Sequence, residues 1–131
     1  MKKFRFSLET VLDYKQQVLA ALQTEHGAIL AQVRDQEKLL EELEAGYRHM
    51  NHEFTRHKLS GISIVDAMKY EQYLRSMERQ IQEETERLEE LRAQEEAKRE
   101  QVVEAKKETS SIEKLREKKL EGYNKAVQKS E

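Results

Sequence analysis

The sequence predicts an all-α fold in which two long helices form an antiparallel coiled-coil hairpin, with the turn near residues 58–63. Three observations carry this prediction. First, the 131 residues contain no proline and four glycines, where average usage would give roughly six and nine. The chain therefore lacks the punctuation that sheets and compact loops require. Second, 38% of the residues are charged and 37% hydrophobic, with a mean hydropathy of −0.97. That leaves too little apolar mass for a globular core of ordinary thickness, and an elongated helical object is expected instead. Third, apolar residues recur with strict 4,3 spacing over most of the chain, the pattern of helices that wind left-handedly around one another.

Helix 1 is expected over about residues 7–58. Ser7 is placed to cap it, with Glu9 in the first turn facing the positive end of the helix dipole. Phe6 and Val11 stand at the two positions of a hydrophobic staple. From Leu8 to His57 the seam has fifteen positions, and eleven are apolar. A straight helix of 3.6-residue period would drift out of such a seam by about 20° per heptad. Its polar members include His26, read as a residue that sets register rather than as a ligand.

The repeat stops at Lys58-Leu59-Ser60-Gly61-Ile62-Ser63, where Ser and Gly cluster between periodic segments. Ser63 with Asp66 three residues later resembles a capping box, so helix 2 is expected over about 63–125. Its seam runs from Tyr70 through Leu74, Met77, Ile81 and Leu91 and, with declining apolar quality, on through Lys119 to Ala126. A short turn makes the two helices antiparallel neighbours, with residue i beside roughly residue 122 − i. Everything beyond about Leu115 is then expected to overhang as a protruding end of one elongated domain spanning residues 1–131. At 1.5 Å per residue the helices would be roughly 75 and 90 Å long.

Charge fits solvated helices. Glu44–Arg48, Glu71–Arg75, Glu83–Arg87, Glu95–Arg99 and Glu121–Lys125 stand in the favourable i, i+4 order, each worth about 0.2–0.5 kcal/mol. Net charge is only −2, which provides no global field for nucleic acid or anionic lipid. It conceals an acidic stretch at Glu83–Glu96 and basic segments at Lys2–Arg5 and Lys106–Lys129, which the hairpin brings to one end. The MKKFRF start lacks the apolar run of a signal peptide, and no run of eighteen apolar residues exists. With no cysteine, disulfides and thiol chemistry are excluded, and a cytoplasmic location fits.

No phosphate loop, nucleophile elbow, HExxH motif or carboxylate pair set in a cleft is present, so no enzymatic activity, cofactor or metal is expected. His49, His52 and His57 with Glu53 read as surface histidines of a helix end rather than as a metal site. The off-seam aromatics are more informative. Tyr73 beside Met77, Gln80 and Glu84 reads either as an anchor for another protein or as a widened core stripe. Phe4, Phe6 and Tyr14 gather aromatic surface beside basic charge at the other end.

FRFSLETVLDYK near the start, KYEQYLRSMERQI opening helix 2 and EKLREKKLEGYNK near the end together resemble the FliJ family of the bacterial flagellar type III export apparatus. The resemblance spans essentially the whole chain, and its non-heptad details are the Phe-x-Leu-Glu-x-Val-Leu start and the Tyr-x-x-Tyr-Leu pair. It implies a two-helix stalk similar to the coiled coil of the rotary ATPase gamma subunit. It further implies a non-enzymatic coupling role in flagellum biogenesis and motility, with three partners: the hexameric export ATPase, the cytoplasmic domain of the export gate membrane protein, and export chaperones. By alignment, gate binding falls on Tyr73, Met77, Gln80 and Glu84, with Leu39, Leu43 and Met50 facing them from helix 1. ATPase binding falls on Phe4, Phe6, Leu8, Leu12, Lys118, Lys119 and Tyr123. Gln80 and Glu84 depart from a mostly apolar patch, and Gly46 stands where the family carries an aromatic. The protein is expected to be a cytoplasmic monomer that meets the inner face of the membrane at the flagellar base only through its partners. Two other readings stay open: an escort for export substrates and their chaperones, and a generic coiled-coil scaffold, which would be a stable homodimer.

Overall fold

The computed structural model describes residues 3–130. Two helices, α1 (Glu9–Ser60) and α2 (Ile64–Ser130), form an antiparallel helical hairpin. Both outlast the expected ends because nothing in the sequence breaks them: there is no proline, and Gly27, Gly46 and Gly122 all lie inside helix. The turn uses the one glycine with a positive φ, Gly61 at 98°, a conformation that a side chain would strain. Ser63 then caps α2 as predicted. Its hydroxyl accepts the Asp66 N–H at 3.1 Å, and its carbonyl accepts the Ala67 N–H at 3.0 Å.

The start of α1 differs from expectation. Ser7 lies in a turn closed by the Glu9 N–H on the Phe6 carbonyl at 3.1 Å, and the Leu8 carbonyl accepts the first helical bond, from Leu12 at 2.8 Å. Leu8, not Ser7, occupies the cap position.

The chain forms two compact units. In the unit Ile29–Glu95, Val33, Leu88 and Leu91 make a buried cluster against which Ile29 and Leu40 pack. Nearer the turn Phe54 and Leu74 are buried, and the Phe54 ring stacks on Tyr70 at 5.0 Å. Polar seam positions are satisfied across the pair: the Gln36 amide donates to the Glu84 carbonyl at 3.0 Å and to its carboxylate. The Tyr47 hydroxyl donates to Glu78 at 2.7 Å.

The other unit joins Met1–Ala28 to Glu96–Glu131. Leu12, Ala105 and Thr109 are buried, and the Thr109 hydroxyl donates to the Ala105 carbonyl at 2.8 Å, which lets a polar residue occupy the seam. Lys15–Glu108 at 2.8 Å, Lys98–Glu25 at 2.9 Å and Arg116–Glu9 at 2.9 Å flank it. These pairs lie within a few residues of the predicted register.

Two corrections concern the end of α2. The overhang begins later than Leu115, because Arg116 bonds Glu9 and Tyr123 packs on Phe4 with ring centroids 5.5 Å apart. Residues 3–6 before α1 are not helical, and extended chain advances about 3.3 Å per residue against 1.5 Å in helix. A few residues thus reach two further turns of α2. The seam also steps by one residue: Leu120, Tyr123 and Val127 are half-buried, whereas Lys119 and Ala126 are exposed. Facing extended chain rather than a helix, α2 has no partner to hold the heptad spacing there. Among the expected i, i+4 pairs Glu121–Lys125 forms at 3.7 Å, whereas Arg99 bonds Glu96 and Arg87 meets Glu90 at 3.7 Å.

Candidate interaction surfaces

The residues expected to meet the export gate divide into two kinds. Tyr73, Gln80 and Leu39 are exposed, while Met77, Glu84, Leu43 and Met50 are half-buried members of the two seams. Glu84 is engaged by Gln36. Met77 lies over Gly46, where its terminal methyl is 3.4 Å from the position a Cβ would occupy. Gly46 therefore packs against Met77 across the pair, and a Cβ there would meet it at ordinary contact distance. Tyr73 lines a shallow groove of about 720 Å³ at the turn, together with Met50, His57, Gly61, Asp66 and Tyr70 among others. His57 stands 3.9 Å from Glu53 and packs on the Tyr70 ring. No group of three or more metal-binding side chains comes together among the described residues.

The residues expected at the ATPase end belong to one unit but differ in availability. Leu12 is buried and serves the core. Leu8 is exposed, Phe4 and Phe6 are half-buried, and Lys118 and Lys119 face solvent. Tyr123 is half-buried under Phe4, and the Arg116 guanidinium lies 5.6 Å from the Phe4 ring centroid. Phe4, Arg116 and Tyr123 thus bind the start of the chain to α2. The Lys15 ammonium is held above its ordinary titration range by its hydrogen bond to Glu108, and the Tyr47 hydroxyl likewise by Glu78.

The profile of the flagellar FliJ protein family matches residues 4–131. The chain belongs to the FliJ family. No curated protein and no solved structure matches it. Membership makes this FliJ chain a component of the flagellar export apparatus, and no helix among the described residues is long and apolar enough to cross a membrane.

One feature of this FliJ chain has no counterpart among the expected sites. Leu59, Ile64, Val65 and Met68 are all exposed around the turn. The sequence signal for them is that these apolar residues lie between the end of one heptad seam at His57 and the start of the next at Tyr70.

Proposed function

We propose that this FliJ chain is a non-enzymatic coupling component of the exporter that binds the hexameric export ATPase through its termini and the gate's cytoplasmic domain through the region of Tyr73. The family match over residues 4–131 carries the reading. Two features support the division of labour. The termini unit offers Leu8, Lys118 and Lys119 to solvent beside the anchored Phe4. The other unit exposes Tyr73 beside an open groove, and exposed aromatics are preferred interface anchors. Binding that favours the closed ATPase ring would promote its assembly by mass action.

The test is binding of the gate domain to Tyr73→Ala and Met77→Ala, with helicity monitored. Tyr73→Ala should weaken binding about tenfold or more at unchanged melting temperature, as an interface anchor does. Met77→Ala should lower stability as well, since Met77 belongs to the seam. Gate affinity within twofold of the parent for both variants would refute the assignment. A salt-titrated pull-down against the ATPase should show the stronger salt dependence at the lysine-bearing end. Loss of chaperone delivery with unimpaired ATPase stimulation would instead identify an escort.

A further inference from the structure

The turn between α1 and α2 gathers four exposed large apolar side chains. Leu59 is 86% exposed, Ile64 81%, Val65 62% and Met68 55%, all within ten residues of chain. Neither helix needs these side chains for its seam, which begins with His57 on one side and Tyr70 on the other. Single exposed apolar residues are ordinary, but several together mark a contact surface.

The charges around them are Arg56, Lys58 and Lys69 on the basic side and Asp66 and Glu71 on the acidic side. Lys58 and Lys69 flank the apolar residues, and neither has an ion-pair partner among the described residues. Lys58 is held in place by the Phe54 ring, 4.1 Å from its ammonium. Arg56 is engaged by Glu53 at 2.7 Å. Of the two acids, Asp66 stands in the first turn of α2, where the helix dipole favours it, and Glu71 lies one turn beyond Met68, farther from the tip.

We propose that the hairpin turn inserts directly into the interfacial region of an anionic lipid bilayer. Leu59, Ile64, Val65 and Met68 enter the boundary between headgroups and acyl chains, and Lys58 and Lys69 rest on the lipid phosphates. The chemistry favours lipid over a protein socket in two ways. A helix turn is convex, and a fluid bilayer conforms to a convex apolar wedge, whereas a protein partner would need a preformed pocket for each side chain. Apolar residues with a collar of unpaired lysines are also the combination that gives interfacial binding its selectivity for anionic membranes. The contact would add to any membrane association made through partner proteins.

The test uses the full chain with vesicles of phosphatidylcholine and phosphatidylglycerol in equal parts, beside vesicles of phosphatidylcholine alone. The parent should co-sediment with the mixed vesicles far more strongly than with the neutral ones. Leu59→Gln combined with Ile64→Gln should lower partitioning onto mixed vesicles about tenfold or more, from the apolar area withdrawn. Lys58→Gln combined with Lys69→Gln should lower it about fivefold per lysine on mixed vesicles and leave neutral vesicles unaffected. Lys106→Gln combined with Lys107→Gln, exposed and remote in sequence, should leave vesicle partitioning unchanged. All four positions in the turn are exposed, so circular dichroism should show unchanged helix content. The proposal is overturned if the parent does not bind mixed vesicles, or if the Lys106 and Lys107 variant loses binding while the turn variants keep it. It is equally overturned if the turn variants abolish a concentration-dependent self-association seen by light scattering in a protein that ignores vesicles, which would make the occupant a second copy of the chain.

Discussion

Replacing Gly46 by alanine probes the register of the hairpin where the candidate gate surface meets the seam. A glycine inside a helix costs about 1 kcal/mol relative to alanine, and this one is half-buried in α1. The new methyl would lie 3.4 Å from the Met77 terminal methyl, a contact that a flexible thioether chain relieves by a small rotation. Gly27 provides the reference, since nothing lies within 4 Å of its would-be Cβ. Gly27→Ala should therefore return the bare helix propensity, about 1 kcal/mol. Gly46→Ala should gain that amount plus part of the roughly 0.8 kcal/mol for burying a methyl group. At about 4 °C per kcal/mol for a chain of this size, both variants should melt several degrees above the parent, Gly46→Ala no lower than Gly27→Ala. Gly61→Ala should do the opposite and lose about 1–2 kcal/mol, because its φ of 98° is reserved for glycine. Thermal melts followed by circular dichroism and denaturant titrations measure all three. A Gly46→Ala variant less stable than the parent would refute the placement of Met77 over Gly46, and with it the local register.

Leu91→Ala should destabilise the Ile29–Glu95 unit by about 2 kcal/mol, the low end for such truncations because solvent borders a two-helix core; denaturant titration measures it, and a loss below about 1 kcal/mol would contradict its burial. Tyr47 should ionise above its ordinary value of 10.0 because its hydroxyl donates to Glu78. The folded protein then keeps a proton that the unfolded chain releases, so this stabilisation is complete below pH 10 and disappears as pH rises through the raised value. Ultraviolet titration of the tyrosines should show that shift vanish in Glu78→Gln. Tyr123→Ala should free Phe4 from α2, accelerating trypsin cleavage at Arg5 several-fold with little effect on melting temperature.

Much of this arrangement was legible in the sequence. The seam of α1 from Leu12 to His57 is buried or half-buried at every predicted position, because a heptad repeat sustained along the whole helix admits one geometry. The Ser63 cap and the Gly61 turn follow from local chemistry in the same way. The late start of α1 was not legible, since a Ser cap and a turn one residue earlier look alike in sequence. The reach of residues 4–8 along α2 was missed because register arithmetic assumes helix against helix. The candidate gate surface was legible only as a list. Its division into exposed Tyr73, Gln80 and Leu39 and seam-bound Met77, Glu84, Leu43 and Met50 depends on the rotation of each helix about its axis.

The sequence by itself determined the helices, their pairing and the turn, because periodicity, the absence of proline and local capping act through neighbours a few residues apart. Only the tertiary structure decided which side chains remain available. Leu8 heads the predicted seam yet is exposed, and Phe4, which precedes the seam, packs on Tyr123. Availability is a property of the partner surface, separated by dozens of residues in the chain. The same reason makes the apolar turn visible only in three dimensions: Leu59 and Ile64 are ordinary apolar residues by composition, and it is their exposure that sets them apart.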